Sequence, residues 1–255
     1  MDLAGLAWQV IMPRPLPPHL QMALEEVLLE RVAAGERGPT LRFWEWSEPA
    51  LVLGCNQVLA NEVDLDAARR LGFVVARRLS GGGTMIVEPG RTITYSLYAP
   101  DRLVAGMSFV DSFAHLDAWT VECLRSLGVP ARHRPINDIA APEGKIGGAA
   151  QARRRGCVLH HTAIAHRMDT GLVRRLIRLG RPPVSSRGVR SADRAVAPLS
   201  LWLDLDRDEV VTALAACFRE RTGAIEGELT AGELAEAGAL TRRRYATADW
   251  IDRLR

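Results

Sequence analysis

The sequence predicts an α+β fold, on three observations. Apolar residues recur at helical spacing between residues 19 and 36; short runs rich in aromatic and β-branched residues, bounded by Pro and Gly, occupy 39 to 98; and helical periodicity returns after residue 207. The chain has 255 residues, 47% of them hydrophobic and 25% charged, enough to bury a full core. Neither a repeat nor a long linker divides it, so a single domain over residues 1–255 is expected.

In chain order, Pro17 and Pro18 precede "HLQMALEEVLLERVAAGE", where Leu20, Leu24, Val27, Leu28 and Val32 form one apolar helix face. "PTLRFWEWSEPALVLGCNQ" follows, broken at Glu48-Pro49, and reads as two strands joined by a turn. "VDLDAARRLG" is a short helix with an acidic start and a stop at Gly72. "FVVARR" is a strand running into "LSGGGT"; with "TITYSLY" at 92–98, beyond the Pro89-Gly90 turn, it makes a hairpin-like unit. A longer helix is expected over "SFVDSFAHLDAWTVECLRSLG", ended by Gly128, and the strands "INDIA", "KIGGAAQ" and "CVLHHTAIA" then surround Lys145. Residues 180–198 read as an irregular connection. "RDEVVTALAACFRERTG" and "LTAGELAEAGAL" are helices, the second with Thr230 and Glu233 at capping-box spacing.

A net charge of +3 is too small to imply nucleic acid, and the basic runs "ARRRG" and "RRLIRLGRPP" read as solvated faces. The cysteines, Cys55, Cys123, Cys157 and Cys217, include no C-x-x-C pair, so neither zinc nor a disulfide framework is signalled. No signal-peptide pattern opens the chain and no apolar run is long enough to cross a bilayer. A soluble cytoplasmic protein with reduced thiols is expected.

Of the 33 lysine and arginine residues one is lysine, Lys145. Arg offers a planar fork and Lys a compact, rotatable charge, so a lone lysine marks a position where the fork's geometry does not serve. Two clusters bear on it. In "RRLSGGGTM", the backbone at Gly81, Gly82 and Gly83 can reach positive φ and let successive N–H groups converge on an anion, with Arg77 and Arg78 at the entrance. The run fits neither the dinucleotide fingerprint nor the P-loop. In "RPINDIAAPEGKIGGAAQARRRGCVLHHTAIA", Asn137 and Asp138 precede a turn and Lys145 starts the next strand. Gly147 and Gly148 leave the backbone open to close approach by a ligand. Asp138 is a candidate to hold a divalent cation, magnesium, or to orient Lys145. His160 and His161 point to opposite faces of a strand, so one of them at most faces a given pocket. Together these parts suit reaction between an acyl carboxylate and a nucleoside phosphate, with the ammonium following negative charge as it moves. A Schiff-base role for Lys145 is the chemical rival; it needs a desolvated neutral amine, and this segment offers Arg and Asp charges instead.

These residues resemble the lipoate-protein ligase A family, within the biotin/lipoate protein ligase superfamily. The match runs through "QMALEEVLL", "PTLRFWEW", "PALVLG", "RRLSGGGT", "GRTITYS", "NDI", "GKIGGAAQ", "VLHHT", "RGVRS" and "YATADW", in order along nearly the whole chain. The resemblance implies a mixed sheet with flanking helices around a bent acyl tunnel. It implies MgATP-dependent activation of lipoate or octanoate to acyl-AMP, then transfer to a lysine of a lipoyl domain or glycine-cleavage H-like acceptor. Carried over residue by residue, it makes Lys145 the catalytic lysine, touching acyl carbonyl and phosphate, and places Arg78, Gly83, Thr84, Met85 and Ile86 on the adenylate. Ser80, Gly81, Gly82, Asn137, Asp138, Gly147, Gly148 and His161 complete the expected binding set.

Three departures qualify it. Val87-Glu88 stands where ligases commonly carry His-Asp; Cys55 replaces an arginine in "GCNQ"; and the chain stops soon after "ADWIDRLR", where many ligases continue into an accessory domain. A separate small accessory subunit is therefore expected, or a transfer reaction alone. Octanoyltransferases of the superfamily use a cysteine thioester; in lysine-loop variants that cysteine lies shortly before the loop, and residues 131–144 contain none, which leaves Cys55 and Cys157 as candidates. A non-catalytic lipoyl-binding or assembly protein is the third reading, and the retained lysine argues against it.

Overall fold

The computed structural model describes residues 2–254. Two sheets and their covering helices place the site. The strands are β1 (Gln9–Ile11), β2 (Pro15–Leu16), β3 (Thr40–Trp46), β4 (Ala50–Leu53), β5 (Val74–Arg77), β6 (Met85–Val87), β7 (Thr92–Pro100), β8 (Arg132–Arg134), β9 (Asp138–Ala141), β10 (Gly144–Arg154), β11 (Cys157–Ala165) and β12 (Ile225–Gly227). The helices are α1 (Pro18–Ala33), α2 (Leu59–Glu62), α3 (Leu65–Arg70), α4 (Phe109–Ser126), α5 (Gly171–Leu176), α6 (Arg207–Thr222), α7 (Ala231–Leu240) and α8 (Ala248–Ile251). None is long and apolar enough to cross a membrane.

The larger sheet runs β12-β1-β3-β7-β11-β10-β9-β8, with β2 beside β3, and mixes parallel and antiparallel pairs. Its central strands β3, β7 and β11 alternate, as a pleat requires. Leu41 and Phe43 of β3 and Ile93, Tyr95 and Leu97 of β7 pack with Leu116, Trp119, Leu214 and Phe218 of α4 and α6. The residues between them face α1: Trp44 and Trp46 donate their indole N–H to Ser96 and Thr94. The same alternation sends His160 to Asp117 of α4 and His161 to Glu25 of α1, each at 2.7 Å. The two histidines take opposite faces, as their adjacency predicts.

α1 begins with Pro18 at its first turn, where a missing N–H costs nothing. The Thr230–Glu233 capping box is present, and an unpredicted one joins Asp206 and Glu209 at the start of α6.

Strand pairing departs from expectation. β3 and β4 do not pair across the Glu48-Pro49 turn; the chain passes there from the large sheet into a second, three-stranded sheet ordered β5-β4-β6. Every residue of β4 is buried, the pattern of a central strand rather than a hairpin arm. The expected hairpin of "FVVARR" with "TITYSLY" is likewise absent. β5 lies parallel to β4, the missed strand β6 returns on β4's other side, and β7 joins the large sheet. The glycine loop therefore bridges two strands flanking β4, at the junction of the two sheets. Residues 180–198 form an irregular strap that touches the sheet by a bridge between Val196 and Lys145.

Candidate active site

A cavity of about 460 Å³ lies between the sheets under the strap. Met22, Trp44, Ile86, Met168, Val173 and Ile177 supply apolar wall; Thr84, Asn137, Lys145, Arg190, Ser191 and Arg194 supply polar groups. Such a lining suits a ligand with a hydrocarbon part and an anionic part.

Lys145 owes its direction to a break in β10. It pairs with Ala140 while Gly147 pairs with Ile139, so Ile146 is an extra residue, and bulges of this kind re-aim side chains. Its Nζ lies 2.7 Å from Asp138 Oδ1, and Arg134 donates to the other carboxylate oxygen at 2.9 Å. Burial alone would push Asp138 up; the Lys145 ammonium and the Arg134 guanidinium outweigh it and hold the carboxyl below its ordinary value. The neighbouring glycines, which line the cavity, also make room for the protein's own atoms. A Cβ on Gly148 would stand 2.7 Å from Lys145 Cε, and one on Gly147 would stand 2.8 Å from the Ala163 carbonyl oxygen.

The two arginines before the glycine loop are spent on carbonyls. Arg77 donates to Ile251 at 2.6 and 2.8 Å, to Gln57 at 2.7 Å and to Gly54 at 2.8 Å. Arg78, 4% exposed, donates to Val52, Gly81 and Gly83 carbonyls and to Ser80 Oγ. Burial lowers both guanidinium pKa values to about 10. Arg78 thus shapes the loop from beneath while reaching the cavity wall. Gly82 takes φ +90°, and Gly54 lets the Gly82 carbonyl pass where a Cβ would collide with it. On the cavity side, Thr84 N–H donates to Ser191 Oγ at 2.8 Å.

Of the expected residues, Arg78, Gly82, Gly83, Thr84, Met85, Ile86, Asn137, Asp138, Lys145, Gly147, Gly148 and His161 line this cavity. Ser80 and Gly81 are not among the lining residues; Ser80 sits behind, its hydroxyl 2.7 Å from His161 Nε2. His161 is depressed in pKa by burial, against the pull of Glu25. The carboxylate only accepts, so His161 carries its proton on Nδ1 and accepts from Ser80 on Nε2.

A divalent cation does not fit Asp138. Lys145 and Arg134 engage its two oxygens, Arg194 approaches to 4.0 Å, and no cluster of three or more metal-ligating side chains exists among the described residues. No cysteine lines the cavity. Cys157 is packed among Leu28, Leu29, Tyr98 and Leu159, where burial pushes its thiol up, and Cys55 is half-buried in the turn after β4.

Sequence reasoning missed three parts. Glu25 is 1% exposed and accepts from Ser96, Tyr98 and His161; its signal was a charge on the apolar face of α1. Glu62, also 1% exposed, accepts from Arg190 Nε at 3.0 Å and from the amide and hydroxyl of Ser191. Ser191 lies in the matched motif "RGVRS", yet nothing local tells that the strap folds back to Glu62.

A family model for the lipoyl protein ligase A/B catalytic domain matches residues 17–219. The chain belongs to this family. Its relatives include the octanoyltransferase LipM of Symbiobacterium thermophilum, 29% identical over 95% of this chain and 97% of its own. Lipoate-protein ligase A subunit 1 of Thermoplasma acidophilum is 28% identical over 94% of each. Among solved structures, a bi-partite lipoate protein ligase from T. acidophilum, studied with its E2 lipoyl domain, superposes with a TM-score of 0.82 at 26% identity, over 98% of both chains. Two further structures superpose at 0.80 and 26% identity: a T. acidophilum protein with bound lipoic acid, over 99% of this chain and 100% of that one, and a lipoate-protein ligase A bound with ATP, over 100% of each. The mixed α+β architecture is that of these ligases.

Proposed function

We propose that the whole chain is the catalytic unit of a cytoplasmic lipoate-protein ligase. Lipoate or octanoate attacks the α-phosphorus of MgATP, pyrophosphate leaves, and the acyl-AMP formed is attacked at its carbonyl by an acceptor lysine, releasing AMP. The observation that carries this is the Lys145 ammonium, aimed by a bulge and held by Asp138 in a half-apolar cavity that no cysteine lines.

In this reading the glycine-loop amides and Lys145 meet the phosphate, and Lys145 also meets the acyl oxygen, where negative charge grows in both steps. The hydrocarbon chain lies along Met22, Trp44 and Ile86. Magnesium enters on the nucleotide's phosphates, since Asp138 is committed to cations. A lipoyl domain or H-like protein supplies the lysine, and a small accessory subunit completes adenylation, as the two-part T. acidophilum relative supports.

The octanoyltransferase reading draws on relatives of that name at 25% to 30% identity. One experiment separates the two. The protein is incubated with an apo lipoyl domain and either lipoate with MgATP, plus any small protein encoded beside its gene, or octanoyl acyl carrier protein without ATP. Ligation is expected in the first mixture; product confined to the second would assign the transferase activity instead.

A further inference from the structure

A basin of about 520 Å³ shares α5 with the cavity. Val173 of α5 lines the cavity, while its Arg174 and Arg175 line the basin with Arg70 of α3 and Arg181 of the strap. Asp64, the one carboxylate among the lining residues, is taken by Arg181 at 3.1 Å and by the Ala67 amide, and Asp193 pairs with Arg174 at 2.8 Å, which leaves Arg70 and Arg175 as the arginines the test reverses. Residues 167–194 carry eight arginines and two aspartates, a surplus of six in a chain of net charge +3, so the remaining residues together are net acidic. The strap continues the basic surface inward, since Arg190 and Arg194 line the cavity beside Lys145.

Two exposed valines, Val184 at 68% and Val189 at 50%, the second also lining the cavity, lie in the same segment, and residues 167–194 contain no aromatic ring. A nucleic acid would reward the guanidiniums but not the valines, and would find nothing to stack on. Guanidiniums interleaved with apolar side chains suit a protein face. An acidic domain is drawn to this region, whose surplus of six positive charges stands against a net-acidic remainder of the chain.

We propose that the basin and strap are the docking surface for the acidic face of the domain whose lysine receives the acyl group. The proposal rests on the ligase reading above. A partner seated there meets α5 on Arg174 and Arg175, next in the chain to Val173 of the cavity wall.

The test is binding, not turnover. The probe is an E2 lipoyl domain with an acidic surface, its acceptor lysine replaced by glutamine, titrated into the wild-type chain and into R70E/R175E. Affinity is expected to fall about tenfold or more in the variant, and wild-type binding to weaken as salt rises. Circular dichroism melting and lipoic acid binding serve as controls, since neither arginine lines the acyl cavity. Unchanged affinity in a folded variant overturns the proposal, as does binding of lipoic acid but not of the domain by the wild type. An oligonucleotide that outcompetes the domain and loses its own binding in R70E/R175E overturns it in favour of nucleic acid. Failure of the wild type to bind either lipoic acid or the domain defeats the ligase reading as well.

Discussion

Gly148 and Lys145 share one volume. The lysine's Cε and ammonium occupy the space that a side chain at 148 would fill, so the catalytic candidate's position depends on a hydrogen atom three residues away. Gly148→Ala is expected to displace the ammonium from Asp138, lowering acylation rate about tenfold. The stability cost should be small, since the atoms displaced are the far end of a flexible, part-exposed side chain. Single-turnover kinetics beside a denaturant melt check both; a rate unchanged in a folded variant would show that the placement of Lys145 does not matter.

Lys145→Arg keeps the charge and replaces a rotatable point by a rigid fork. Acylation is expected to fall by about a hundredfold or more, the scale of losing one aimed donor in a transition state. The melting temperature should stay close to that of the parent. Retained activity would mean that any cation serves.

Glu62→Gln removes the charge that holds Arg190 and Ser191 down while keeping the shape. Amide hydrogen exchange at Ser191 is expected to quicken, while residues 184–187 stay held by the buried Asn61. The KM for ATP should rise more than kcat falls, since Ser191 meets the loop at Thr84. Exchange rates identical to the parent would remove Glu62 from the account of the strap.

The Asp138 carboxyl is held below its ordinary value of 3.8 by Lys145 and Arg134, against the opposing effect of burial. Its folded pKa lies below its unfolded one, so its contribution to stability is fully present above about pH 5 and is lost as pH falls through the folded value. Asp138→Asn should flatten the acid limb of the stability curve below that point. Parallel acid limbs in parent and variant would contradict the pairing.

Cys157→Ala and Cys55→Ala should leave acylation within about twofold. The first should cost about 1 kcal/mol, since it empties part of a packed apolar cluster. A trapped acyl thioester lost in either variant would move the assignment to the transferase.

Much of the site was legible before the structure. A lone lysine, a triple glycine after a strand and a glycine pair after the lysine are local signals, because each asks something of its own backbone. The His160–His161 split followed from pleat geometry alone. The partners of those residues were not legible. Arg78 reads as an anion ligand until its donors are seen meeting the loop carbonyls, and Asp138 reads as a metal ligand until the cations around it are counted. Glu62 carries no local signal, because Arg190 and Ser191, which it holds, lie more than a hundred residues on.

By itself, then, the sequence determined most element types, the alternation of sheet faces, the family and a set of site residues most of which line the cavity. Those depend on periodicity and backbone freedom, which are properties of short stretches. Only the tertiary structure decided which strands pair, that a turn at Glu48-Pro49 passes the chain into a second sheet, and that the strap closes over the glycine loop. Strand pairing and buried ion pairs are chosen by shape and charge matching between segments far apart in the chain, and no single stretch carries that information.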